Sequence, residues 1–227
     1  MVPSWHVVNT TIWILALVLQ VALAAVVLWR GIPGNYPGFT ALIVFYPLRA
    51  ALPFALAGHT TSDAYEGWSA VLSLIGILLQ AWLVVELAAH LMREMGGWNG
   101  RRFLIPPAIG ALALACTWLT LIALPGRIEV DRAQTFFWWI MVGLAPLAFS
   151  RPRSPNLARI CGGFAAFSLC QLLALAGRSH AWITRNSHAY VCWEYVPAGV
   201  YVAVVCYWMV FLKREERPIP QTAAVPS

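Results

Sequence analysis

Seven long apolar runs, each bounded by short polar or turn-rich stretches, take up nearly the whole chain. They lie at about 8–29, 39–57, 67–93, 103–124, 133–149, 157–176 and 190–212. All reach the roughly 17–25 residues a helix needs to cross a bilayer core, and 67–93 slightly exceeds that range. The breaks are chemically distinct from the runs. Gly31-Ile32-Pro33-Gly34-Asn35-Tyr36-Pro37-Gly38, Gly96-Gly97-Trp98-Asn99-Gly100, Pro125-Gly126 and Arg151-Pro152-Arg153-Ser154-Pro155 all carry turn residues, which interrupt helices. The pattern predicts an all-α, polytopic membrane protein. It has seven transmembrane helices in one domain over 1–212 and a Pro-rich cytoplasmic tail over 213–227, expected to be disordered. The first run lacks a basic leader, exceeds the usual apolar core of a signal peptide and shows no cleavage site, so it reads as a span. The longest loop expected is Gly177 to Ala189.

Composition agrees. Of 227 residues 60% are hydrophobic and 11% charged, and the mean hydropathy is +0.70. A soluble domain of this size needs far more polar surface, and seven spans leave no room for a separate soluble catalytic or signalling domain. The net charge of +6 therefore reads as a topological signal rather than as an affinity for nucleic acid. Arg30, Arg93, Arg101, Arg102, Arg151, Arg153, Arg159, Lys213, Arg214 and Arg217 fall on one predicted face, against Arg127, Arg132, Arg178 and Arg185 on the other. The positive-inside rule then places the N-terminus outside and the C-terminus in the cytoplasm of a cell inner membrane. Trp5, Trp68, Trp98, Trp138, Trp139 and Trp193 lie near predicted span ends, where indoles favour the interface. Cys116, Cys161, Cys170, Cys192 and Cys206 have no C-x-x-C spacing and read as small buried hydrophobes.

The candidate chemistry centres on the third run. Glu86 and His90 stand at i and i+4, with Trp82 one turn before and Arg93 just beyond, so one helix face is polar towards the cytoplasmic end. Arg49 lies near the middle of the second run, where an unpaired guanidinium costs several kcal/mol. Counted from the cytoplasmic ends, Arg49 sits at about 15 Å and Glu86 at about 10 Å, so the two are expected to pair. One reading makes this pair a structural lock between spans two and three. The other makes Arg49, Glu86 and His90 a ligand site or a proton-linked switch. A second cluster, His180, His188 and Glu194 with His59, faces the outer side, but its spacing is not that of a metal site. Gln80 and Gln171 suit hydrogen bonds between helices.

Several chemistries lack their residues. A retinal Schiff base needs a lysine inside a span, and the one lysine, Lys213, is at a span end. Haem ligation needs a second histidine to match His90. No G-x-S-x-G occurs for serine hydrolysis, and Asp63 and Asp131 both lie in predicted outer loops. No catalytic residue, cofactor or metal is expected.

Tyr36-Pro37-Gly38-Phe39-Thr40-Ala41 with Leu48-Arg49, and Tyr65-Glu66-Gly67-Trp68-Ser69-Ala70 with Glu86 and His90, resemble seven-helix membrane proteins of the kind found in Acidobacteria. The likeness covers mainly the first half of the chain. It implies the seven-helix topology and maps the group's recurring arginine and E-x-x-x-H onto Arg49, Glu86 and His90, but carries no activity. The expectation is therefore a non-enzymatic protein, sensor-like or an accessory subunit, acting through the lipid bilayer's embedded partners in a homo-oligomer or larger membrane complex. The alternative is a small transporter or channel-like protein with Arg49 and Glu86 in a substrate or proton path.

Overall fold

The computed structural model describes residues 5–56, 62–94, 104–123, 131–150 and 154–214. His59, Trp98, Arg101, Arg102, Arg127, Arg151, Arg153 and the tail from 215 onward lie outside the described residues. Within them the chain is all helix: α1 (Trp5–Trp29), α2 (Pro37–Leu56), α3 (Ser62–Glu94), α4 (Ile105–Ala123), α5 (Arg132–Ser150), α6 (Pro155–Ile183) and α7 (Ser187–Phe211), with a short 3-10 turn at Ile32–Gly34. Among the described residues six helices are long and apolar enough to cross a membrane, and α2 contributes the apolar stretch Pro37–Leu52. The protein is a helical, multi-pass membrane protein.

Six helices close into a ring in the order α1, α2, α3, α5, α6, α7 and back to α1, with α3 and α6 touching across it. Helix α4 stands outside and packs mainly on α5. Four aromatic side chains fill the ring. Phe39 meets Trp208 edge-on at 5.4 Å and Phe164 at 6.1 Å, and Phe137 meets Phe164 at 6.1 Å. Each such pair contributes about 0.5–1.5 kcal/mol beyond its buried area. The α6–α7 seam is tight because two glycines of α6 each receive a tryptophan of α7. The Trp208 indole lies on Gly163, where a Cβ would come 2.5 Å from Nε1, and the Trp193 indole lies on Gly177.

Two expectations are corrected. The long loop from Gly177 to Ala189 does not form. Helix α6 runs on through Arg178 and His180 to Ile183, and α7 starts at Ser187. Helical backbone needs no apolar side chain once it leaves the bilayer. What stops α6 is local: Arg185 takes a left-handed φ of 53°, and Asn186 caps α7 by accepting from the Ala189 amide at 3.0 Å. Second, α2 does not start level with the end of α3: the Gly38 amide faces Glu86, two turns before Glu94, and the turn before α2 points Ile32 and Tyr36 into the bundle while Gly31 and Gly34 stay exposed.

Candidate functional site

The sunken start of α2 creates a problem that Glu86 solves. Pro37 has no amide hydrogen, which suits the first helical position, but the next amides have no partner within their own helix. The Gly38 amide donates to Glu86 Oε1 at 2.9 Å and the Phe39 amide donates to Oε2 at 3.0 Å. Glu86 is 9% exposed, and its carboxylate sits on the positive end of the α2 dipole, a favourable place for an anion. Gly38 makes the approach possible, since a Cβ there would lie 3.1 Å from Glu86 Oε2 and 3.4 Å from the Trp82 ring.

One turn on, His90 Nε2 donates to the Asn35 carbonyl at 2.9 Å, which fixes that nitrogen as the protonated one because a carbonyl only accepts. Its ring lies 4.8 Å from the Tyr36 ring. One turn further, Glu94 Oε1 accepts from the Ser154 amide at 2.9 Å, and the Ser154 hydroxyl in turn accepts from the Leu157 amide as the cap of α6. Tyr36 and Ser154 share a hydroxyl–hydroxyl bond at 2.9 Å. Glu86, His90 and Glu94 thus form a row on α3, each residue holding a different part of the chain: the start of α2, the turn before it and the start of α6.

The same end of the bundle is fastened elsewhere. The buried Asn156 side chain donates to the Lys213 carbonyl and accepts from the Lys213 amide, both at 2.9 Å, tying the start of α6 to the end of α7. The Trp208 indole donates to the Arg159 carbonyl at 3.0 Å. The Arg30 guanidinium donates to the Leu212 carbonyl, which joins α1 to α7.

Arg49 is not part of this assembly. It donates to the Ser73 hydroxyl at 3.5 Å and rests on Gly76, with Nη1 3.1 Å from where a Cβ would be. Gly76 lies ten residues before Glu86 on α3, about 15 Å along the axis. The expected Arg49–Glu86 pair is therefore replaced by two separate arrangements. In the antiparallel α2–α3 pairing Gly38 faces Glu86, which puts Arg49 level with Gly76 and Ser73.

Between these levels lies a polar layer. Gln80 Nε2 donates to Gln134 Oε1 at 3.1 Å, Gln80 also bonds the Tyr46 side chain, and Tyr201 bonds Gln20. Ser168 stands one turn after Phe164 on α6 and shares its inward face. Gln20 Oε1 and Ser168 Oγ are buried polar atoms without a hydrogen-bond partner. All six ring helices thereby contribute one polar side chain. Gln80 holds helices together as expected. Gln171 makes no comparable bond among the described residues.

The outer candidates are not assembled. His180, His188 and Glu194 are all exposed, and among the described residues no group of histidine, cysteine or acidic side chains could hold a metal ion. The cysteines are free. Cys161 and Cys170 are buried as expected, whereas Cys192 is exposed. Sequence reasoning missed Glu94, Asn156 and the capping role of Ser154. The Ser154-Pro155 pair, a cap followed by a first-position proline, was the available signal. No family model matches the chain, and no curated protein or solved structure matches it either.

Proposed function

We propose that the protein is a non-enzymatic, sensor-like or accessory membrane protein that acts through partners embedded in the same membrane, with its N-terminus outside and its C-terminus in the cytoplasm. The supporting observation is the row on α3. Glu86, His90 and Glu94 are the ionisable groups a catalyst would turn towards a substrate, and all three engage backbone groups of neighbouring elements. A tilt of α3 would move the start of α2 and the start of α6 together, which suits a protein that passes a shape change to a neighbour. Purification in mild detergent followed by native mass measurement tests this. A stoichiometric partner or a homo-oligomer is expected, and a lone monomer would count against it.

A transporter is the second reading, and the polar layer favours it. Buried polar atoms without partners call for water or a ligand, and Gln20 Oε1 and Ser168 Oγ are two such atoms inside the ring. Glu86, whose two oxygens each accept a backbone amide, lies beyond this layer towards the end of α3. In proteoliposomes the transport reading requires a solute or proton flux that Gln80→Leu abolishes without unfolding the protein. Absence of flux across a panel of small polar solutes and protons would remove it.

A further inference from the structure

Helix α4 leaves an open groove against α5 with a cavity volume of about 630 Å³, within the ~300–1,000 Å³ range of small-molecule sites. Ala111, Ala115 and Trp118 line it from α4, Ala133 and Phe136 line it from α5, and Arg132 stands at its end. The three alanines hollow the floor while Trp118 and Phe136 form the sides. The Thr117 hydroxyl, which also borders the groove, donates to the Ala113 carbonyl at 2.8 Å and so keeps its proton within α4. The floor is apolar, and among the described residues that line the groove the one charge is at its end.

We infer that this groove binds one glycerophospholipid, with an acyl chain along the alanine floor and the phosphodiester against Arg132. The position of the charge carries the assignment. Arg132 is the first residue of α5, at the very end of a 19-residue span, Arg132–Ser150, which is the depth where the hydrocarbon stops and headgroups begin. Its side chain can lie along the groove wall with the guanidinium at that level, and the guanidinium fork matches two phosphate oxygens. Asp131, next to it, is occupied as a helix cap, accepting from the Gln134 amide at 3.1 Å. A helix from a second copy supplies no phosphate for the Arg132 guanidinium, which a phosphodiester at that level does. A small polar solute would find nothing to bond along the floor. The groove lies on the outside of the ring, so the site is independent of both the sensor and transport readings.

The test is native mass spectrometry of the full chain released from vesicles of phosphatidylethanolamine and phosphatidylglycerol. The wild-type chain should retain one phospholipid. Ala115→Trp, at an exposed position, should fill the groove and abolish retention. Arg132→Gln should weaken retention roughly tenfold, by loss of a charge-assisted pair, and Arg185→Gln should leave it unchanged. Circular dichroism and thermal melting establish that each variant is folded, and Ala111→Leu replaces Ala115→Trp if the latter is not. A bare wild-type mass, or retention unaltered by both the groove and the Arg132 substitutions, would overturn the assignment. A dimer mass that Ala115→Trp removes would overturn it too, giving the groove to a second copy of the chain.

Discussion

Gly38 and the Glu86 carboxylate are in direct contact: the Gly38 amide donates to Oε1, and a Cβ on residue 38 would stand 3.1 Å from Oε2. The glycine is there for this approach as much as for the turn it follows. Gly38→Ala should push the carboxylate away by a few tenths of an ångström and lower thermal stability. In a Glu86→Ala background the same change should cost much less. Residues in contact show interaction energies of about 0.5–3 kcal/mol. A double-mutant cycle by thermal denaturation in detergent measures this, and simple additivity would contradict the contact.

Removing the charge alone is a separate test. Glu86→Gln retains one acceptor but turns an amide hydrogen towards a backbone donor. Hydrogen bonds to charged groups contribute about 1.5–3 kcal/mol, so destabilisation of that order is expected, with Glu86→Ala worse. The melting temperatures of the two variants check the order.

Arg49 and Glu86 should behave as strangers. Each engages other groups, about 15 Å apart along α3, so the effects of Arg49→Leu and Glu86→Leu on stability should add within about 0.5 kcal/mol. A coupling well above 1 kcal/mol would restore the ion pair that the sequence suggests.

That discrepancy shows where sequence reading stops. The long apolar helices were legible because a bilayer core demands them and leaves few alternatives for a chain so poor in charge. The pairing was not. Depths counted from span ends assume that every helix starts at the same level, and α2 breaks that assumption by starting two turns inside the end of α3. Once α2 starts deep, the register moves Arg49 to Ser73 and Gly76 and leaves Glu86 with backbone amides. Glu94 was overlooked for a related reason. A charge at the end of an apolar run looks like a headgroup residue, and its partner Ser154 lies sixty positions away on a helix whose approach no local pattern encodes. Arg178 and His180 misled in the other direction, since polarity ended the apolar run without ending the helix.

Gly163 offers a packing test. A Cβ there would lie 2.5 Å from Trp208 Nε1, inside the indole that bonds the Arg159 carbonyl. Gly163→Ala should destabilise by about 1–3 kcal/mol, the usual cost of overpacking, and Trp208→Phe should relieve part of it. Thermal denaturation followed by tryptophan fluorescence reads both.

The buried start of α2 also bears on how the chain enters the membrane. A helix whose first amides, at Gly38 and Phe39, need an acceptor from outside it is a poor substrate for insertion by itself. Its missing acceptor is carried on the next span to emerge. Helices α2 and α3 are therefore expected to insert together as a hairpin, with Glu86 of the second closing the open end of the first.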